Sequence, residues 1–177
     1  MAAFSRFMPM NPTLLSIANR IVHILPSTRF YAFKRFLFRL SGVKIGKNVR
    51  ICSSAIILGK SVLSIADNVW IGHETMILAS APITIGSNVN IAPRCYIGTG
   101  THEIDLLGAS IAGKGKSLPI IIKDGAWLCT HSVIIAGTTI GKQSIIAAGA
   151  VVTNKIPDRE LWGGIPARFI KKLDANS

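Results

Sequence analysis

His102 is the side chain of this sequence best suited to moving a proton. It follows Gly98-Thr-Gly-Thr and precedes Glu103 and Asp105, in a segment where polar residues and glycines replace the surrounding aliphatic ones. A neutral imidazole, with a pKa of about 6.5, can take a proton from a hydroxyl group near neutral pH. Glu103 and Asp105 lie close enough in the sequence to orient the second ring nitrogen. The segment therefore predicts a general base, with an exposed loop histidine as the alternative.

The other histidines and the cysteines do not form a metal-binding motif. The three cysteines are an odd number without zinc-like or redox spacing, and Cys95 has the place of a small core residue. His73 and His131 are interpreted as turn residues, and His23 has no assigned role. A site made from His73, His102 and His131 could assemble only across an interface between chains. The sequence therefore predicts no metal.

A six-residue repeat supplies the scaffold that positions His102. An α-helix would repeat about every 3.6 residues and a lone strand every two, so neither fits. Hexapeptide periods are typical of parallel β-helices, whose coils bury their inner faces against their neighbours. The aliphatic positions are Ile45, Ile51, Ile57, Ile65, Ile71, Ile77, Ile85, Ile91, Ile97, Ile122, Leu128, Ile134, Ile140, Ile146 and Val152. The repeat predicts an all-β fold of about five triangular coils over residues 43–157.

One long interruption separates the third coil from the fourth. Ile97 and Ile122 are 25 positions apart, where about six would continue the repeat. A long loop extruded from a rigid scaffold is usually functional or disordered. Residues 99–119 are therefore predicted to form an extruded loop that carries the candidate site.

The N-terminal region, residues 1–42, is basic and rich in aromatic residues. The first 66 residues contain ten Lys and Arg and no Asp or Glu, whereas the remainder has ten basic and eight acidic residues. Two short helices split near Pro26 are predicted to cap the open end of the β-helix. The alternative is an amphipathic surface that lies on an anionic membrane. No nucleic-acid-binding motif accompanies the charge, so no nucleic acid partner is predicted.

Composition places the chain in one globular unit. With 177 residues, 49% of them hydrophobic, it is long enough for one β-helix with flanks. Residues 158–177 are predicted to form a tail with a short helix. No signal peptide is recognised and no apolar run approaches the roughly 20 residues that span a bilayer. A cytoplasmic location is expected, with the inner face of the membrane as an alternative.

The motifs between Gly42 and Leu173 resemble the hexapeptide-repeat acyltransferases. The specific stretches are Ile91-Ala-Pro-Arg-Cys-Tyr-Ile-Gly-Thr-Gly-Thr-His and the run from Asp124-Gly-Ala-Trp-Leu through Gly-Gly-Ile-Pro-Ala-Arg. The first is similar to maltose, galactoside and xenobiotic O-acetyltransferases, whose catalytic histidine stands at the position of His102. The basic segment around Tyr-Ala-Phe-Lys-Arg-Phe is similar to acetyltransferases of envelope polysaccharide synthesis. The resemblance implies a left-handed parallel β-helix and a homotrimer.

The resemblance also assigns binding residues. In related enzymes the residue at Trp127 borders the acceptor pocket, whereas Trp70, at the equivalent position of an earlier coil, is expected to pack. The acceptor-side residues are Trp127, Glu74, Glu103 and Asp105. The residues assigned to the pantetheine arm and phosphates of acetyl-CoA are Thr130, Ala148, Thr153, Lys155, Arg168 and Lys171.

The implied function is direct transfer of an acetyl group from acetyl-CoA to a sugar hydroxyl. His102 would be the general base, and the sugar would belong to an envelope polysaccharide or its precursor. Three alternatives stay open: an amino-sugar N-acyltransferase, a non-catalytic trimeric scaffold, and a zinc carbonic anhydrase of the related β-helix type.

Overall fold

The computed structural model describes residues 9–174, which form two helices followed by a parallel β-helix. The predicted N-terminal and C-terminal regions extend beyond these residues at both ends. The helices are α1 (Pro12–His23) and α2 (Tyr31–Leu40), on either side of Pro26 as predicted. The strands are β1 (Lys44–Ile45), β2 (Arg50–Ile51), β3 (Ile56–Gly59), β4 (Leu63–Ile65), β5 (Trp70–Ile71), β6 (Met76–Ala79), β7 (Ile83–Ile85), β8 (Asn90–Ile91), β9 (Tyr96–Gly98), β10 (Gly100–Ile104), β11 (Ala112–Ser117), β12 (Ile120–Ile122), β13 (Trp127–Leu128), β14 (Val133–Ile134), β15 (Thr139–Ile140), β16 (Ile145–Ile146), β17 (Val151–Val152), β18 (Glu160–Gly163) and β19 (Arg168–Lys172).

Three sheets form the sides of a triangular prism. The first sheet has the order β1-β4-β7-β12-β15, the second β2-β5-β8-β13-β16-β18-β19, and the third β3-β6-β9-β14-β17. All pairs within the coils are parallel, and Ile45, Ile65 and Ile85 stand directly above one another. The predicted parallel β-helix of about five coils is confirmed. We call the edges first, second and third corner, following the first, second and third sheets along each coil.

The aliphatic repeat positions point into the prism, where they are buried in one continuous core. The corners require a left-handed backbone conformation, with positive φ, that most residues avoid. Asn48, Asn68 and Asn88 stack at the first corner with φ values of 53°, 60° and 59°. Asparagine tolerates the left-handed region because its short side chain bonds locally. Cys95 is buried as predicted for a small core residue.

The two helices close the N-terminal end of the prism. Lys34, Arg35 and Arg39 of α2 donate hydrogen bonds to carbonyl groups of the first coil, including those of Ile51 and Val49. The capping interpretation of the basic segment is therefore correct for these three side chains. They pair backbone acceptors that have no coil beneath them.

One expectation, about the C-terminal tail, needs correction. The predicted C-terminal helix is absent from the described residues, because β18 and β19 form an antiparallel hairpin that continues the second sheet. Strand pairing wins because β16 offers an open edge, and Gly163 and Gly164 disfavour a continuous helix. The extruded loop is present as predicted, and its two arms pair as the β10–β11 hairpin. Thr101, a small-residue position of the repeat, is accordingly exposed on it.

Candidate active site

The hairpin that carries His102 leaves the prism at the third corner of the third coil, where Thr99 anchors its base. The buried Thr99 hydroxyl accepts hydrogen bonds from the backbone N–H groups of Ser80 (2.8 Å) and Ala81 (2.9 Å). It donates to the carbonyl oxygen of Leu78 at 3.0 Å. The backbone N–H of Leu118 closes the base by donating to the Thr99 carbonyl at 3.0 Å. The outgoing and returning chains are therefore fixed to the preceding coil.

His102 itself is exposed and lies opposite Gly115 on the paired strand. A methyl group at Gly115 would meet no atom within 4 Å, so the space beside this pair is open. Within residues 9–174 the imidazole of His102 has no hydrogen-bond or ion-pair partner. Both ring nitrogens are therefore available to groups from outside this protomer.

The two carboxylates near His102 have different places. Asp105 accepts hydrogen bonds from the backbone N–H groups of Leu107 (3.0 Å) and Gly108 (2.8 Å), so it shapes the hairpin turn. Glu103 neighbours His102 on an exposed strand, where the pairing register of β10 and β11 shifts. Neither carboxylate contacts the imidazole within this chain.

A column of polar groups follows the second corner from coil to coil. Glu74, Arg94, His131 and Gly149 have φ values between 55° and 69° and occupy equivalent places in successive coils. Glu74 Oε2 and Arg94 Nε form an exposed ion pair at 2.7 Å. This hydrogen bond and the charge of Arg94 lower the pKa of Glu74. Glu74, which was assigned to the acceptor side, thus lies at the second corner between Ser54 of the coil below and Arg94 of the coil above.

Thr130 and Ala148 continue this column one coil apart. Thr130 donates through its hydroxyl to the Pro93 carbonyl at 2.8 Å, and its own carbonyl accepts from the Gly149 N–H at 3.0 Å. Ala148 is exposed, and its backbone N–H has no partner among residues 9–174. A free N–H on an exposed rigid corner can donate to an amide carbonyl of a bound ligand.

The predicted phosphate-side residues are divided between the corners. Arg168 lies opposite Gly163 on the terminal hairpin, directly above the coil of Ala148. Lys171 lies further along the same hairpin, opposite Leu161. Thr153 and Lys155 are exposed at the third corner, beyond β17. Thr130 and Ala148 therefore lie in successive coils at the second corner, Arg168 and Lys171 lie on the terminal hairpin, and Thr153 and Lys155 lie at the third corner.

Trp127 is on the outer face of the second sheet, between Asn90 below and Ile145 above. Trp127 is 48% exposed, which is high for a residue type that is mostly buried on average. Trp70, two coils below it in the same sheet, is half-buried. Trp127 is thus available for a flat apolar ligand surface, whereas Trp70 packs.

None of the cysteines is prepared to act as a nucleophile. Burial raises the pKa of the Cys95 and Cys129 thiols, and Cys95 Sγ donates to the Cys129 carbonyl at 3.2 Å. Burial also raises the pKa of Cys52. Since the thiolate is the reactive form, these sites disfavour a covalent acyl-cysteine. Among residues 9–174, no three His, Cys, Asp or Glu side chains gather as metal ligands would.

Arg94 lies within the stretch that begins at Ile91, but it was assigned no role from the sequence. It stands 20 positions after Glu74, which is one full coil, so the repeat length already placed the two at the same corner. The 20-residue spacing was the signal that could have predicted this ion pair. It becomes informative only after the length of one coil has been worked out from the repeat.

Comparisons with known proteins agree with the fold and with the motifs. The chain is 33% identical over 142 residues to the Escherichia coli protein WcaF, named as a colanic acid biosynthesis acetyltransferase. The match covers 80% of this chain and 76% of WcaF. No protein-family model matches the chain.

Solved structures show the same architecture. A hexapeptide-repeat acetyltransferase of Vibrio cholerae, VCA0836 in complex with acetyl coenzyme A, superposes with a TM-score of 0.70 and 26% identity, over 92% of this chain and 87% of that one. A maltose O-acetyltransferase of Clostridium difficile gives a TM-score of 0.69 and 25% identity, over 92% and 86%. With its six-residue repeat, its parallel β-helix and these relatives, the chain belongs to the hexapeptide-repeat acetyltransferases.

Proposed function

We propose that this acetyltransferase moves an acetyl group from acetyl-CoA to a hydroxyl group of a sugar in cell-envelope polysaccharide synthesis, with His102 as general base. The observation that carries the proposal is the unpartnered imidazole of His102 on a hairpin anchored at its base by Thr99. A rigid mount with free ring nitrogens is what proton transfer to a docked acceptor requires.

The transfer would occur in one direct displacement. The acceptor oxygen bonds to the thioester carbonyl carbon while His102 takes the hydroxyl proton. When the tetrahedral intermediate collapses, the C–S bond breaks and the imidazolium returns the proton to the sulfur of coenzyme A. The raised pKa values of Cys95 and Cys129 support this route over an acyl-enzyme, because neither thiol ionises readily.

The donor would lie along the second corner at the C-terminal end of the prism. Ala148 offers an unpaired N–H to the pantetheine arm, with Thr130 one coil below, and Arg168 offers a cation for the phosphates. The named complex of VCA0836 with acetyl coenzyme A supports this choice of donor. Thr153, Lys155 and Lys171 would complete the phosphate side from neighbouring surfaces.

The acceptor class follows from the relatives and from Trp127. The names of WcaF and of the C. difficile enzyme refer to colanic acid and maltose, both of which are carbohydrates. An exposed indole offers a flat apolar face for a sugar ring, and Glu74 offers an acceptor of hydroxyl hydrogen bonds. Glu103 would contact the sugar from the hairpin, and Asp105 would contribute through the turn that it shapes.

The active protein would be a homotrimer, because one protomer keeps the two halves of the site apart. His102 projects from the third corner and Ala148 lies on the second, with the third sheet between them. The outer side of that sheet carries half-buried or exposed Ile56, Leu58 and Met76. Side-by-side packing around a threefold axis would bring the hairpin of one protomer to the second corner of the next.

The test compares the parent with His102→Ala in two measurements. Calorimetric titration should show about one acetyl-CoA per chain for both proteins, because His102 is not part of the donor corner. Acetyl transfer to a panel of sugars should fall by about 100-fold or more in the variant. His23→Ala, which removes an exposed histidine of α1, is the matched control and should transfer at the parental rate.

Parental transfer by His102→Ala would reject the general-base role. Acetylation of amino sugars but not of hydroxyl acceptors would instead identify an N-acyltransferase with the same donor. Absence of acetyl-CoA binding by the parent would reject the donor assignment.

A further inference from the structure

The two N-terminal helices carry an apolar surface that faces away from the prism. On α1 it includes Leu14 and Ile17, on the side away from the buried side chains of Leu15 and Val22. We call the exposed set the outer cap face. Its members are Leu14, Ile17, Phe30, Phe33, Phe36 and Leu40, each between 44% and 59% exposed.

The same arrangement repeats on α2. Lys34 and Phe38 point into the prism, whereas Phe33 and Phe36 lie on the opposite side, with ring centroids 6.5 Å apart. A helix that is apolar on two opposite sides normally has both sides covered. Isolated exposed apolar residues are common, but a set in which Phe33 stacks on Phe36, and Leu14 and Leu40 line one depression, marks an interaction surface.

The charge around this face indicates which surface covers it. The first 66 residues have ten basic and no acidic residues. Lys34, Arg35 and Arg39 are bonded to carbonyl groups, but Arg20 and Arg29 are exposed beside the cap. A second copy meeting this end face would bring two basic regions together, and like charges oppose such contact. An anionic partner removes that repulsion.

A pocket beside α2 offers room for an anionic group. It has a volume of about 440 Å³ and is lined by Tyr31, Arg35, Asn48, Arg50 and Asn68. All five side chains carry hydrogen-bond donors, and none is a carboxylate. Aromatic rings next to such donors suit the boundary between acyl chains and phosphate headgroups.

We propose that the outer cap face docks on an anionic phospholipid bilayer. Phe33, Phe36 and Leu40 enter the headgroup boundary, and the surrounding Arg and Lys residues attract the lipid phosphates. The contact is peripheral: neither helix of the described residues is long and apolar enough to cross a bilayer. This docking goes beyond the acetyl transfer proposed above and does not depend on it.

The experiment measures sedimentation of the purified full-length protein with vesicles of phosphatidylcholine, with and without phosphatidylglycerol. The parent should bind the anionic vesicles but not the neutral ones. Its binding should weaken as the salt concentration is raised. Phe33→Ser combined with Phe36→Ser should lower the partition coefficient by about tenfold or more. Arg20→Ser combined with Arg29→Ser should lower it as well, and more strongly at low salt.

Matched controls come from the hairpin at the third corner. Leu106→Ser with Leu107→Ser removes two apolar side chains of similar or greater exposure, and Lys114→Ser with Lys116→Ser removes two exposed charges. Both double variants should bind vesicles like the parent.

Three results would overturn the proposal. The parent could fail to bind anionic vesicles, or the double Phe variant could bind as well as the parent. The double Phe variant could also change the oligomeric state in sedimentation equilibrium without lipid, which would make the face a subunit contact. Because none of these readouts uses acetyl transfer, a failure here leaves the proposed activity untouched.

Discussion

The two ends of the prism solve the same problem in different ways. A solenoid leaves backbone groups unpaired at its first and last coils, since each coil pairs only with its neighbours. At the N-terminal end, side chains of α1 and α2 pair these groups: Asn19, Lys34, Arg35 and Arg39 all donate to carbonyl oxygens of the first coil. At the C-terminal end, the backbone of the β18–β19 hairpin continues the ladder, with Val151 N–H donating to Gly164.

The comparison shows that some cations of the N-terminal region serve the structure, so they are not free to bind partners. Three cations of α2 are bonded into the cap, and the fully buried Lys34 bonds the carbonyls of Pro26, Ser27 and Ile51. Burial lowers the pKa of Lys34, as expected when a charged group leaves water. The strand-capped end needs no such charges. Part of the basic composition is therefore explained by capping of the N-terminal end of the β-helix, not by partners.

The largest effect is expected from Lys34→Met. The variant keeps most of the apolar stem but leaves the carbonyls of Ser27 and Ile51 without a donor, whereas the Pro26 carbonyl still accepts from the Ser53 hydroxyl. We expect the free energy of unfolding to fall by about 3 kcal/mol, measured by denaturant titration. Lys47→Met, at an exposed lysine in the same region, should change it by less than about 0.5 kcal/mol. Equal effects of the two variants would contradict the capping role.

At the opposite end, Trp162→Ala should cost about 2 kcal/mol. Trp162 packs half-buried on the core, meets the Phe169 ring edge-on at 6.3 Å and donates to Glu160 at 2.7 Å. Thermal unfolding followed by circular dichroism measures the loss. Trp127→Ala removes the same side chain from an exposed place in the same sheet, and its stability should match the parent within the error of the measurement.

Asn11→Ala tests how α1 is attached to the N-terminal end. The Asn11 side chain accepts hydrogen bonds from the backbone N–H groups of Thr13 (3.0 Å) and Leu14 (3.1 Å), which begin the helix. Its loss should lower the free energy of unfolding by about 1 kcal/mol. Asn11→Ser should restore most of it, since serine also caps helices. An equally unstable serine variant would show that the cap bond is not the cause.

The smallest effect is expected midway between the ends, at the Glu74–Arg94 pair. Because Arg94 lowers the pKa of Glu74, the pair stabilises the fold above the ordinary pKa of a glutamate. That contribution disappears as pH falls through the lowered pKa. Glu74→Gln should therefore be slightly less stable than the parent near neutral pH and equal to it in acid. A constant difference across an acid titration of stability would contradict this.

Sequence reasoning succeeded where the signal is local and repeated. The six-residue spacing of Ile45, Ile51 and their successors predicts the inward face, because every coil meets the same environment. The break after Ile97 predicts the extruded segment for the same reason. It failed at β18 and β19, where a tail with a short helix was predicted. The open edge of β16 decided otherwise.

By itself, the sequence determined the parallel coils, the place of the hairpin and the candidacy of His102, since each depends on spacing along the chain. Only the tertiary structure decided that Lys34 is a buried cap, that Asp105 shapes a turn, and that Thr130 and Ala148 lie in successive coils at one corner. These facts depend on which carbonyls lack a neighbouring coil and which edges remain open. Unpaired carbonyls and open strand edges exist only after the chain has wound into a prism with two ends.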